Sequence, residues 1–453
     1  MEQKVNTSTL RDSAIMRWSA LGVIALTMMA AYYVNDVMAP LQTMLQENLG
    51  WDGSEYGFYT GAYSFLNVFL LMLIWGGLIM DRFGVRFTGK LATILMVVGT
   101  LMEYYGMNYM GGSNTIIMGY KSDVLMCAAG YAIFGVGAET AGITVTKIIA
   151  RWFRGKEMAL AMGIQVALAR IGSQAAYSLA IPIAKRFEIT TPVLIGLVLL
   201  VVGMISFFVF AVMDKKLDAQ ESAMDDTDEE KFSFADVKNI ITNRGFWLIS
   251  ILCVLFYSCI FPFQKFASAL MITKYGIDPD FAGTIVGLPA LGALLLTPIF
   301  GGLIDRKGKS ASIMMLGAAI LIGVHFTYAI PSIDSWVIAV ALMILLGIAF
   351  SLVPSAMWPA VAKIFPVRQL GTAYALIFFI QNIGLWGIPT LMGYVQEHYC
   401  VVGVNENGAA LYNYTLPMII FGALATASFI VAYLLLRADK KYGYGLELPN
   451  IKK

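Results

Sequence analysis

The stretch GGLIMDRFGVR (76–86) returns later in the same chain as GGLIDRKGKS (301–310), and this near-copy decides the fold. Each copy closes one apolar run and opens the next, so a unit of two helices joined by a short basic turn has been built twice. Around these copies, 58% of the 453 residues are hydrophobic and only 13% charged, where a soluble chain carries about a quarter charged residues. Apolar runs of about 20 residues, the length that crosses a bilayer as helix, recur along almost the whole chain. The short alternating segments of a membrane β-barrel are missing. The reading is an all-α polytopic membrane protein.

Gly, Pro and charge breaks divide the runs into twelve expected spans, near 17–45, 54–80, 87–109, 123–150, 157–184, 191–213, 245–275, 280–304, 310–330, 335–362, 369–396 and 410–436. With both termini cytoplasmic, the inside segments hold 24 of the 31 lysines and arginines. The outside loops hold Lys121, Lys185, Arg186 and Lys274, and the spans hold Lys147, Arg170 and Lys265. That is the positive-inside pattern. The expected organisation is a cytoplasmic tail (1–16), a first six-helix bundle (17–213), a cytoplasmic linker (214–244), a second bundle (245–436) and a second tail (437–453). In the linker an acidic run, DDTDEE (225–230), precedes SFADVKNII, where Ser233 and Asp236 have capping-box spacing ahead of an apolar face. A short interfacial helix is expected there.

A second, longer echo supports the duplication. ARWFRGKEMALAMGIQVALARIG (150–172) aligns without gaps to AKIFPVRQLGTAYALIFFIQNIG (362–384), with Ala150/Ala362, Phe153/Phe365, Ala161/Ala373, Ile171/Ile383 and Gly172/Gly384 identical and Lys156/Arg368 conservative. Arg170 falls opposite Asn382. Two six-helix halves joined by a cytoplasmic loop suit a secondary transporter with its site at the midplane between them.

Here the sequence resembles the major facilitator superfamily. Gly77, Asp81, Arg82, Gly84 and Arg86 match its loop signature, with Val85 departing from the usual basic residue, and Gly301, Asp305, Arg306, Gly308 and Lys309 match the second copy. The resemblance covers 17–436 and implies the major facilitator fold, two pseudo-symmetric six-helix bundles. Physically, Gly77 and Gly301 permit close packing, Gly84 and Gly308 serve the turn, and the aspartates and arginines can meet helix ends or carboxylates. Such contacts would latch the cytoplasmic side in one state and release it in the other. The stretches RWFRGKEMALAMGI (151–164), WPAVAKIFPVRQLGTAYALIFFIQNIG (358–384) and LWGIPTLMGY (385–394) resemble the branch that includes the lysosomal dipeptide carrier and its bacterial relatives. That branch implies small peptides as substrates, with facilitated diffusion as one mode.

Charges inside spans are costly and so point to function. Glu139 lies 12 residues above Arg151, about 18 Å up its helix, and Arg170 lies 14 above Lys156, about 21 Å up the next. At similar depth the two can meet, as the polar wall of a cavity or as a structural ion pair. Gln174 and Tyr177 share the face of Arg170. In the dipeptide-carrier resemblance, Glu139 and Arg170 match the helix-four glutamate and helix-five arginine and would bind the peptide's termini. Asp36 and Lys265 occupy equivalent places late in the first helix of each half, with Tyr32 and Tyr257 on their faces; they read as an outer gate or as ligand contacts. Trp358, Gln381 and Asn382, and more weakly Asn67, complete the candidate lining. Glu103 reads as interfacial and His325 as peripheral.

Two buried acids against two buried bases suit a zwitterion better than a net anion or cation, hence di- and tripeptides. A proton-coupled carrier of organic anions or amino acids is the alternative, and a non-transporting receptor a distant one. No metal cluster, nucleophile–base motif or phosphate loop is visible, so no enzyme, metal or cofactor is expected. Neither is nucleic acid, given a net charge of +2. The expected partners are the bilayer and the substrate, with the chain a monomer in a bacterial inner membrane.

Overall fold

The computed structural model describes residues 10–113, 115–154, 156–221, 234–366 and 369–449. The acidic run 225–230, Ser233 and Arg368 lie outside them. Helix dominates. The first half contains α1 (Ala14–Val37), α2 (Gln42–Leu49), α3 (Gly53–Phe69), α4 (Met72–Tyr109), α5 (Ser122–Trp152), α6 (Met158–Arg186) and α7 (Thr191–Glu221). A short α8 (Phe234–Ile241) stands where the interfacial helix is expected, and Gln369 Nε2 donates to its Asp236 Oδ1 at 3.0 Å. The second half contains α9 (Arg244–Ser258), α10 (Phe261–Tyr275), α11 (Pro279–Lys307), α12 (Ser310–Ala329), α13 (Trp336–Ile364), α14 (Leu370–Tyr399) and α15 (Thr415–Tyr442). Two small antiparallel hairpins, β1–β2 (Ile116–Ile117, Tyr120–Lys121) and β3–β4 (Val401–Val404, Ala410–Tyr412), cap the face opposite the termini.

Several expected spans are broken, each for a local reason. The first ends at Val37 and restarts at Gln42, because Pro40 cannot donate to the helix ladder. The seventh breaks the same way between Ser258 and Phe261, beside Pro262. Asp36 and Lys265 thus sit next to matching interruptions in the two halves. The second span bends by 58° between α3 and the start of α4, where Leu71 adopts φ 53°. Gly84, with φ 76°, separates the second span from the third, a left-handed turn that favours glycine.

Among the described residues, ten helices pass for membrane spans on length and hydropathy, and the bent pair makes eleven. The twelfth, α6, is 29 residues long but carries Arg170 and Gln174, which lower its apolarity. Many of its neighbours expose Phe, Leu, Ile and Val outward, as lipid-facing helices do.

The halves close against each other on the face opposite the termini. Along α3 and α14, a Cβ on Gly57 would stand 2.6 Å from Gly393 Cα, and one on Gly61 2.6 Å from the Trp386 carbonyl. Only small residues let helix backbones approach so closely. Gln42 Nε2 donates to Gln396 Oε1 at 3.0 Å, the Gly53 amide to Glu397 Oε2 at 2.8 Å, and Asn405 Nδ2 to Glu47 Oε1 at 2.7 Å. At the face of the termini, Gly77, Gly301 and Gly302 have nothing within 4 Å of where a Cβ would be.

Candidate functional site

Helices of both halves enclose one central cavity of about 290 Å³. From the first half, α1 presents Tyr32, Asn35 and Asp36, α3 Thr60 and Tyr63, α5 Tyr131 and Glu139, and α6 Arg170 and Tyr177. From the second come Tyr257, Gln264 and Lys265, then Trp358, Phe378, Gln381 and Asn382. All four charged candidates named from the sequence therefore face the same space. So do Tyr32, Tyr177, Tyr257, Trp358, Gln381 and Asn382. Gln174 does not: it turns to α11, donating to Ser178 Oγ at 2.8 Å and to the Thr284 carbonyl at 3.4 Å.

Asp36 and Lys265 join the halves. Lys265 Nζ lies 3.0 Å from Asp36 Oδ1, and also donates to the Asn35 carbonyl at 2.6 Å and the Tyr131 hydroxyl at 3.3 Å. Ser173 Oγ donates to Asp36 Oδ2 at 2.6 Å. Tyr131 in turn donates to the Asn35 carbonyl at 2.7 Å, and Tyr56, from α3, to the Lys265 carbonyl at 2.7 Å. The pair is nearly saturated, with side-chain exposures of 13% and 12%.

Glu139 and Arg170 share the cavity but do not pair. Among the described residues no ion pair within 4 Å involves either. Glu139 Oε1 accepts from the Tyr63 hydroxyl at 2.9 Å. The Arg170 guanidinium lies over two rings, Phe350 at 4.9 Å and Tyr32 at 5.5 Å. The second-half wall is aromatic: Tyr257 stacks with Phe261 at 5.4 Å and Trp358 with Phe378 at 4.8 Å, while Trp358 Nε1 donates to the Tyr257 hydroxyl at 3.2 Å. Asn382, the repeat counterpart of Arg170, spends its amide on the Phe378 carbonyl one turn back.

The signature loops lie apart from this cavity. Arg82 and Arg306 are exposed, whereas Arg86 pairs within its own half, 2.6 Å from Asp218 and 3.9 Å from Asp214. Arg151 joins the same acids, and Trp152 Nε1 donates to Asp214 at 2.9 Å. In the second half, Gly308 (φ 71°) and Lys309 are held by the C-terminal segment, the Lys309 amide donating to the Glu447 carbonyl at 3.1 Å.

Besides Gln174, three residues differ from their sequence reading. Glu103 is not interfacial but fully buried, accepting from the Tyr59 hydroxyl at 2.9 Å. His325 is not peripheral either; it is buried between Phe263 and Phe421. Asn67 is buried away from the cavity lining. The sequence reading missed Asn35, Tyr63, Tyr131 and Phe350. Tyr56, Thr60, Tyr63 and Asn67 form a polar stripe of one-turn steps on α3, a signal that could have found Tyr63.

With this geometry in hand, comparison with known proteins is informative. The sequence profile described as Major Facilitator Superfamily matches residues 23–389 and 266–446. The human lysosomal dipeptide transporter MFSD1 is 27% identical over 378 residues, 81% of this chain and 77% of its own. Its chicken counterpart is 31% identical over 278 residues, 59% of this chain and 62% of its own. Among solved structures, a bacterial homologue of the human lysosomal transporter Spinster, in an inward-facing and occupied conformation, superposes with a TM-score of 0.66 at 14% identity, covering 95% of this chain and 98% of the other. The chain belongs to the Major Facilitator Superfamily and is a multi-pass membrane transporter, not an enzyme.

Proposed function

We propose that this transporter carries small zwitterions, di- and tripeptides foremost, by alternating access. The observation that carries the reading is a cavity in which one cation and one anion, Arg170 and Glu139, face the same space without neutralising each other. A structural ion pair would have consumed both. Arg170 would take the peptide carboxylate, its planar donors suiting a bidentate contact, and Glu139 the amino terminus. The name of the relatives supports the same substrate class.

In this reading bundles 17–213 and 245–436 move as two bodies about the site, with 214–244 tethering them. Asp36–Lys265 closes the outer side, and the signature residues Asp81, Arg82, Arg86, Asp305 and Arg306 close the inner side in the other state. The lysine and arginine bias supports cytoplasmic termini; the membrane proposed is a bacterial inner membrane. Truncating one partner of a hydrogen-bonded charge contact costs about 2 kcal/mol or more, about 30-fold in affinity. Uptake of labelled alanyl-alanine into proteoliposomes should therefore be saturable in the wild type and weakened at least about 30-fold in Arg170→Ala and in Glu139→Gln. Undiminished uptake by both variants would end the termini-clamp reading.

A further inference from the structure

Phe350, in the middle of α13, is 3% exposed and carries no polar atom, so neither charge nor hydrogen bonding draws attention to it. Its ring nevertheless lies under the Arg170 guanidinium, with Cζ 4.9 Å from the ring centroid. Arg170 belongs to the first half and Phe350 to the second. The ring is itself held in place by second-half aromatics, edge-on to Phe261 at 5.4 Å and to Tyr257 at 6.5 Å.

A guanidinium can be stabilised in two ways in a half-buried site. A carboxylate partner takes two of its five N–H donors, whereas an aromatic face attracts the charge and takes none. Arg170 has the second arrangement. We propose that Phe350 is a positioning residue for carboxylate recognition: it fixes the guanidinium across the junction of the halves and leaves its donors free for a ligand. The inference rests on the reading that Arg170 receives the peptide carboxylate, and it adds a residue from the opposite half that acts only through Arg170.

Two probes separate this role from simple wall-lining. Binding of alanyl-alanine and of alanyl-alanine amide, which lacks the carboxylate, is measured by calorimetry on the purified full chain. The variants are Phe350→Leu, Phe350→Trp and Arg170→Ala. Loss of the ring should weaken binding of the acid about 3- to 30-fold, the range for a cation–π contact. Affinity for the amide should hold within about twofold, so the preference for acid over amide shrinks. Phe350→Trp, which keeps a ring face, should retain that preference. Equal weakening of both probes in Phe350→Leu, or no change in either, would overturn the inference. A preference that survives Arg170→Ala would instead overturn the carboxylate reading beneath it, and a wild type that binds neither probe would overturn both. Should the leucine variant fail to fold, Phe350→Met asks the same question with a flexible side chain.

Discussion

Replacing Lys265 by glutamine tests the outer closure, because Lys265 crosses between the halves with three contacts at once. Its ammonium meets Asp36 Oδ1 at 3.0 Å, the Asn35 carbonyl at 2.6 Å and the Tyr131 hydroxyl at 3.3 Å. In a state opened toward this face, all three would exchange for water. Hydrogen bonds to a charged group are worth about 1.5–3 kcal/mol each, but desolvation of a largely buried pair cancels much of that gain. About 2 kcal/mol of net bias toward the closed state is a reasonable remainder, or about 30-fold in the equilibrium. If the wild type samples the opened state about 1% of the time, Lys265→Gln should sample it about 20% of the time. The assay is pulsed dipolar spectroscopy between spin labels at Asn48→Cys and Val402→Cys, exposed positions on opposite halves of this face. The four native cysteines, all buried and free, are first replaced. A longer-distance population should grow in Lys265→Gln and in Asp36→Asn and stay small in Lys265→Arg. If the distances stay unchanged while peptide binding is lost, the pair is a ligand contact and the gating argument fails.

The packing supplies further tests. Gly57→Val and Gly393→Val each place atoms within 2.6 Å of the facing helix backbone, so both should hold the same labels apart and abolish uptake; an unaltered distance distribution would refute this. Glu447 caps the start of α12, its carboxylate accepting from the Ser312 amide at 3.0 Å and hydroxyl at 2.7 Å. Glu447→Ala should cost about 1 kcal/mol and lower the apparent melting temperature of the purified protein without changing Kd for alanyl-alanine. Asp214 is buried, accepts from Trp152 and faces both Arg86 and Arg151. Asp214→Ala should destabilise the first half by about 1–3 kcal/mol, read as earlier thermal unfolding; a melting curve that matches the wild type would show that the cluster is idle.

How far the sequence could be read depended on which coordinate of a helix was being asked for. Helical rise gives depth, which is what suggests that Glu139 and Arg170 can share a cavity, and both line it; Asp36 and Lys265, expected at equivalent places in the two halves, meet as a pair. Rotation about the helix axis and the lean of each side chain are set by tertiary packing, which a single chain does not reveal. Gln174 shares a face with Arg170 on paper yet turns to α11, and Glu139 is met by Tyr63 from α3 rather than by Arg170. The breaks at Pro40 and Pro262 carried a readable signal in proline itself. The bend at Leu71 carried none, since no glycine or proline marks it. Glu103 looked interfacial because it sits near a span end beside Tyr104 and Tyr105. Its burial follows from the close crossing of α4 and α5, where a Cβ on Gly130 would stand 2.5 Å from the Gly99 carbonyl.

The charge count that favoured a zwitterion treats all four buried charges alike, but their bonding divides them. Asp36 and Lys265 are bonded to each other, to Ser173, to Tyr131 and to the Asn35 backbone, so a ligand would have to break that set before using either. Among the described residues, Arg170 and Glu139 are held by rings and a tyrosine hydroxyl, weaker partners that leave donors and acceptors unspent. A binding group needs that intermediate condition. Bare, it would cost too much to bury; salt-bridged, it would gain little from a ligand that merely replaced its partner. On this logic the proposed substrate contacts belong to Arg170 and Glu139 and the proposed gate to Asp36 and Lys265. Two acids and two bases are then one closed pair and two open charges, and in the proposed function the open charges select the cargo.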